Sequence, residues 1–189
     1  MYFDLLLISF DRFLVWPEIG NLEDWGMRKK YVVFSALLTL FAFSSRKPGT
    51  HNVPVPYPEG FRNWVHVKTG LIGPKSKIFA QFGGFHHIYA NGPALIGYQN
   101  GKFPEGSVIV FDKLEMVEDS SGNISEGKRK WVDVMVKDAA ADSTGGWSFE
   151  EFTGNSRTDR AVRNQAIVKC YNCHAVRKVN DFVFSELKE

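Results

Sequence analysis

Cysteine is nearly missing from this chain: Cys170 and Cys173 are the only two in 189 residues. A structural zinc site takes four ligands, typically two such pairs, and there is no second pair to complete one. Charge of one sign is also missing, since 23 basic residues stand against 21 acidic for a net charge of +2. That balance leaves no electrostatic footprint for nucleic acid or for an anionic membrane surface. No internal repeat or low-complexity run breaks the sequence. The longest clean apolar run, residues 31–43, has thirteen residues, against the about 20 that a membrane-spanning helix needs. A hydrophobic share of 44% is nevertheless enough for one globular core.

What cysteine there is falls in one run, Cys170-Tyr171-Asn172-Cys173-His174. A C-x-x-C-H run reads as a c-type haem attachment. On a helix, positions 170, 173 and 174 are related as i, i+3 and i+4, so three side chains leave one face. Two thiols can then form thioethers with the haem vinyl groups while the imidazole of His174 ligates the iron, giving one covalent haem c. The alternative is a dithiol/disulfide redox pair, expected beside a βαβ pattern, and no such pattern surrounds the motif. Sixteen Phe, five Trp and six Tyr suit the walls of a large flat cofactor, and equally an ordinary β core.

The first part of the chain has the layout of a secretory signal. Met27-Arg28-Lys29-Lys30 is a basic start, residues 31–43 are the apolar stretch, and Ala42-Phe43-Ser44 is a small-x-small cleavage site. The expected organisation is an upstream extension over 1–26, a signal peptide over 27–44, an extended Pro/Gly-rich lead-in over 45–60 and a haem domain over 61–189. Export to the periplasm follows, with an uncleaved membrane anchor as the alternative. No cysteine stands directly after the apolar stretch, so nothing supports a lipoprotein anchor. An exported location would permit a disulfide, which keeps the dithiol alternative open.

Within the domain, Trp64 to Thr69 alternates as a strand, Gly70 to Lys77 reads as a loop, and His87-Ile88-Tyr89 as a second strand. Pro93 suits the first helical position before Ala94 to Tyr98, and Gly101 to Gly106 forms a turn. Ser107 to Glu118 is the clearest strand, returning through a polar tip near Gly122 to an antiparallel Lys130 to Lys137. A further strand is expected over Gly146 to Phe152. Thr158 to Val176 then reads as a helix capped by Asp159, which carries the haem motif. Strands followed by one closing helix define a mainly β, α+β domain, and contradict a four-helix bundle.

A C-terminal motif behind antiparallel strands resembles the cytochrome P460 family, including its cytochrome c′-β branch. The matching stretches are Phe61-Arg62-Asn63-Trp64-Val65, His87-Ile88-Tyr89, Gly101 to Val110, Val136-Lys137-Asp138, and Cys170-x-x-Cys173-His174 followed by Asp181 to Ser185. The resemblance implies an antiparallel β-sheet domain with few helices, a homodimer, and a five-coordinate haem open to small nitrogen oxides. P460 members oxidise hydroxylamine; the c′-β branch binds gases such as NO. In P460 enzymes a lysine on the strand after the G-x-F-x-x-G turn is cross-linked to the haem. Here the count from that turn reaches Phe111, with Lys113 two residues on and on the same face. Phe111 matches the apolar distal walls of the c′-β branch, whereas Asp133 falls near the distal carboxylate of P460 enzymes.

Phe111 is therefore a candidate distal wall and Asp133 a candidate distal base, each weighed against an ordinary core or solvent-facing role. An apolar wall leaves iron open to neutral diatomics; a buried carboxylate can take protons from hydroxylamine. Of the adjacent His86 and His87 only one can face inward, and a second histidine ligand would close the iron and argue for electron transfer. His66 carries the same ambiguity, and Met116 and Met135 offer possible thioether ligands. Arg157, Arg160, Arg163 and Lys169 are candidate propionate partners. Three readings result: a gas-binding haem protein taking NO or other diatomics, a hydroxylamine- or NO-oxidising enzyme, and an electron carrier working with a redox partner protein.

Overall fold

The computed structural model describes residues 54–187. The expected extension and signal segment, 1–44, lie outside the described residues. No helix among the described residues is long and apolar enough to cross a membrane.

Five strands form one antiparallel meander in the order β1-β2-β3-β4-β5: Val65–Ile72, Gly84–Ala90, Val108–Glu118, Ile124–Lys137 and Trp147–Thr153. The fold is thus mainly β with few helices, as the sequence pattern and the resemblance imply. A four-residue helix α1 (Phe79–Phe82) joins β1 to β2, and α2 (Gly92–Asn100) joins β2 to β3. The α2 start is legible in the sequence: Asn91 accepts from the Ala94 N–H, and Pro93 sits in the first turn, where its missing N–H is not needed.

Strand alternation separates two cores. On one face Ile88, Ala90, Ile109, Met135, Trp147 and Phe149 pack with Phe103, Phe182 and Val183. On the other, Val110, Val132, Val134 and Phe152 are covered by Val55 and Phe61. Val55 is thereby core, although it lies within the stretch expected to be a lead-in. That second face also buries Asp112 completely, held by Arg62 at 2.8 Å and Arg129 at 2.6 Å. With its second face closed in this way, the sheet has its first face available to build a cavity.

Three boundaries differ from expectation. β1 runs on to Ile72 through the supposed loop, because Gly70 lies under the His86 imidazole, where any Cβ would collide. β4 begins at Ile124, within the polar hairpin continuation, since Asp119 satisfies the tip by accepting from the Ser121 and Asn123 N–H groups. The third difference is larger. Residues 158–165 are not helical, and Asp159 caps nothing. Its carbonyl accepts from the Thr153 N–H, and the Glu151 carbonyl accepts from the Ala161 N–H, so this segment runs along the edge of β5. The Glu150 carboxylate then takes the N–H groups of Val162 and Arg163. Apolar spacing alone does not register these competing partners. The helical run α3 consists of a π-turn Ile167–Tyr171, a turn Asn172–His174 and a 3-10 stretch Ala175–Asn180.

Candidate haem site

The first face of the sheet and α3 enclose a cavity of about 730 Å³, within the range of pockets that bury a cofactor-sized molecule. Cys170, Cys173 and His174 line it from α3, and Phe111, Asp133 and Met135 line it from the sheet. Residues about 35 to 63 positions apart in sequence thus meet at one cavity. The sheet side has a simple origin. Register pairs Ile88 with Phe111, Phe111 with Asp133, and Asp133 with Glu151, so one row of inward side chains crosses four strands.

His174 is oriented by the chain that follows it. Its Nδ1 lies 2.7 Å from the Phe182 carbonyl oxygen. A carbonyl only accepts, so Nδ1 carries the proton and Nε2 keeps the free lone pair. Burial lowers the His174 pKa, with the hydrogen bond to Phe182 opposing it in part. The ring is therefore neutral at pH 7, the state that metal ligation requires. Phe149 and Phe184 rings stand 5.1 and 5.2 Å from it. The carbonyl that holds Nδ1 comes from a turn in which Asp181 and Phe182 both have positive φ, 50° and 68°. Such backbone persists only when its surroundings impose it. Here the Asp181 carboxylate takes Lys137 Nζ at 2.6 Å and the Phe103 N–H at 2.9 Å, while its carbonyl accepts from Trp147 Nε1 at 2.9 Å.

The Cys170 thiol lacks the lowered pKa of a redox-active cysteine. Burial, then the charges of Asp133, Glu151 and Glu150, push Cys170 up to about 12, whereas dithiol oxidoreductases depend on a lowered thiol. Zinc has no better footing, since no group of three metal-ligating side chains comes together among the described residues.

On the sheet side, Phe111 rather than Lys113 faces the cavity. Lys113 is fully buried, with its ammonium donating to the Gly84 carbonyl at 2.8 Å; burial and nearby Lys130 lower its pKa to about 8. His86 faces in and stacks on Phe111 at 4.9 Å with 8° between planes. Its Nδ1 is buried without a partner, and burial first, then Lys113, Lys68 and His87, lower its pKa to about 4. His87 points to the other face and meets Glu126 at 2.7 Å, and His66 shares Thr69 with it. Met135 lines the cavity, but Met116 does not. Of the basic residues near α3 only Lys169 lines it. Arg157 pairs with Glu59 and Arg160 with Glu150, and the Arg163 guanidinium donates to the Arg160 carbonyl.

Asp133 accepts from Trp131 Nε1 at 2.9 Å. Burial, then the charge of Glu151, raise it to about 8. Glu151 also lines the cavity and has no signal of its own in the sequence. Seeing it requires the β4–β5 register, which the turn between those strands sets and side-chain spacing does not.

A sheet-walled cavity with a C-x-x-C-H run at its rim, and a neutral imidazole presenting a free Nε2, defines a haem-binding protein. The cytochrome P460 family model matches residues 58–185, and the chain belongs to that family. Family membership carries with it a haem cofactor and the character of a P460-type cytochrome. No curated protein sequence matches the chain.

Proposed function

We propose that this is an exported, mono-haem c-type cytochrome that binds NO or a related small nitrogen oxide at an open haem face. The observation that carries the reading is the meeting of His174, its Nε2 free, with an apolar Phe111 wall in one cavity sized for a cofactor. Cys170 and Cys173 would hold the haem covalently and His174 would ligate its iron. When bound, haem supplies an iron centre that takes small ligands and exchanges electrons. The protein's part is to hold His174 neutral and oriented through Phe182, and to limit access with Phe111 backed by His86.

A second reading, hydroxylamine or NO oxidation, is favoured by Asp133. That residue faces the cavity rather than solvent and has the raised pKa of a group able to exchange protons near neutral pH. Against it stands Lys113, which is turned to Gly84 rather than to the cavity. An electron-transfer role would need His86 or Met135 to close the iron.

The ferrous absorption spectrum with and without CO separates the three. A high-spin spectrum that shifts with CO and no hydroxylamine turnover supports gas binding; steady turnover with an acceptor supports the oxidase; a low-spin spectrum indifferent to CO supports electron transfer. Phe111→Ala is expected to speed CO or NO entry by about tenfold, if the ring contributes roughly 1.4 kcal/mol to the barrier. Flash photolysis measures this, and unchanged rebinding would remove Phe111 from the ligand path.

Homodimer formation belongs to the same proposal. Val176 and Val179, 73% and 86% exposed on the last stretch of α3, provide apolar surface that a second copy would cover. Sedimentation velocity of the holoprotein tests it, a monomer at micromolar concentration being the contrary result.

A further inference from the structure

The charged groups of the cavity are divided along the sheet. All three carboxylates of its lining, Asp133, Glu150 and Glu151, stand on β4 and β5, whereas Lys68 stands on β1 and His86 on β2. Neighbouring strands lie about 4.8 Å apart, so the strand of Lys68 is roughly 14 Å from that of Asp133. Cys170 belongs to the acidic end. The Lys169 ammonium beside it donates to the Ala161 carbonyl at 2.6 Å, and the Ala161 N–H donates to the Glu151 carbonyl at 2.9 Å, which ties the start of α3 to the edge of β5.

At the other end the polar groups are without partners. Lys68 is exposed where it lines the cavity and makes no ion pair among the described residues. His86 Nδ1 is buried with no partner. A buried N–H left unpaired is rarer than an unpaired acceptor, so the proton of this neutral ring sits on Nε2. The Cε1–Nε2 edge lies over Gly70, where only the missing side chain leaves it room. Register sets Gly70 opposite His86 and Lys68 opposite Ile88, so the Lys68 side chain and that ring edge are neighbours on the cavity face.

We propose that Lys68 and His86 form a cradle for the two haem propionates, with Lys68 Nζ and His86 Nε2–H donating to their carboxylates. This rests on the reading of the cavity as a haem site, and adds which way round the haem lies. A porphyrin of this kind carries its vinyl groups on one edge and its propionates on the opposite one. Thioethers to Cys170 and Cys173 therefore direct the propionates away from the acidic end. Beside Asp133 and Glu151 two more carboxylates would add like charge to a poorly solvated wall, which low dielectric disfavours. Beside Lys68 and His86 they meet a cation and a neutral donor, and the bond to the ammonium is charge-assisted. His86 engaged in this way does not close the iron, which leaves the open face to Phe111.

The test uses covalently loaded holoprotein whose haem is isotope-labelled at the propionate carboxyls, read by redox-induced infrared difference spectra. The label picks out the propionate carboxylate bands from those of Asp and Glu side chains. Both Lys68→Met and His86→Phe are expected to shift the labelled bands, while Lys169→Met leaves them in place. Lys68→Arg and His86→Gln keep a donor and should restore part of the wild-type position, which a merely structural role would not do. Lys68→Met should also lower the reduction potential, because a positive charge near the haem disfavours the ferric state. Bands unmoved in either Lys68→Met or His86→Phe, or moved by Lys169→Met instead, would overturn the cradle alone. A wild type that acquires no haem under conditions of covalent loading overturns the haem-site reading and the cradle with it.

Discussion

Asp181→Ala is expected to lower the thermal midpoint by about 10 °C, corresponding to roughly 3–4 kcal/mol for a domain of this size. Its carboxylate sits 2.6 Å from Lys137 Nζ, with both side chains about one-seventh exposed, 14% and 13%. Deleting one partner of a mostly buried ion pair costs about 3 kcal/mol, most of it the penalty of stranding the other charge. The Phe103 N–H loses its acceptor as well. Alanine also tolerates the left-handed backbone at position 181 less well than aspartate, at a cost of about 1 kcal/mol. Total domain stabilities run to only about 5–15 kcal/mol, so the loss is a large fraction. Asp181→Asn should lose less, since its amide oxygen can still accept from Phe103 or Lys137 and asparagine suits that backbone. The same turn delivers the Phe182 carbonyl to His174, so the alanine variant should also bind haem heterogeneously, seen as a broadened ferric spectrum. A midpoint within two or three degrees of wild type by circular dichroism would show that Lys137, which also lies over the Trp147 ring, finds enough compensation without Asp181.

The position of Asp181 in the chain bears on how such a site is encoded. The motif at 170–174 is legible because its chemistry is local: two thiols and an imidazole brought to one helix face by their spacing. Strand alternation likewise puts Phe111 and Asp133 on the same face of their strands, and the register pairing them across β3–β4 follows from one short hairpin. Asp181 reads only as the start of an apolar segment, because its partners Lys137 and Phe103 lie 44 and 78 residues away. Glu151 is hidden for a related reason, its pairing with Asp133 being set by the turn at Asp142–Thr144. The mistaken helix over 158–165 shows the converse. Ala161 and Val162 have helical spacing with Ala166 and Ile167, but Glu150 and the free edge of β5 offer the backbone better partners than a helix would. Local patterns thus identify most of the candidate residues that line the cavity, whereas those that hold them in place depend on long-range partners.

Cys170→Ala combined with Cys173→Ala should abolish covalent haem, leaving intact mass at that of the bare polypeptide and all pigment extractable in acid acetone. The prediction tests more than the motif, because the cavity offers binding that does not involve the thiols. His174 keeps its Nδ1 bond to Phe182 and its contacts with Phe149 and Phe184 in the double variant. The apolar wall of Ile88, Ile109, Phe111 and Met135 is equally untouched. A flat apolar cofactor burying area there gains about 25 cal/mol per Å² before the costs of association. Haemin added to the double variant should therefore bind reversibly, giving a CO-sensitive ferrous spectrum that His174→Gly removes. Imidazole added to that glycine variant should restore the spectrum in part, which distinguishes a lost ligand from a collapsed fold. If the double-cysteine variant binds no haemin although its circular dichroism matches wild type, the cavity does not recognise haem by itself and the thioethers supply the affinity. Retention of acid-resistant haem without the two cysteines would overturn the attachment assigned to Cys170 and Cys173.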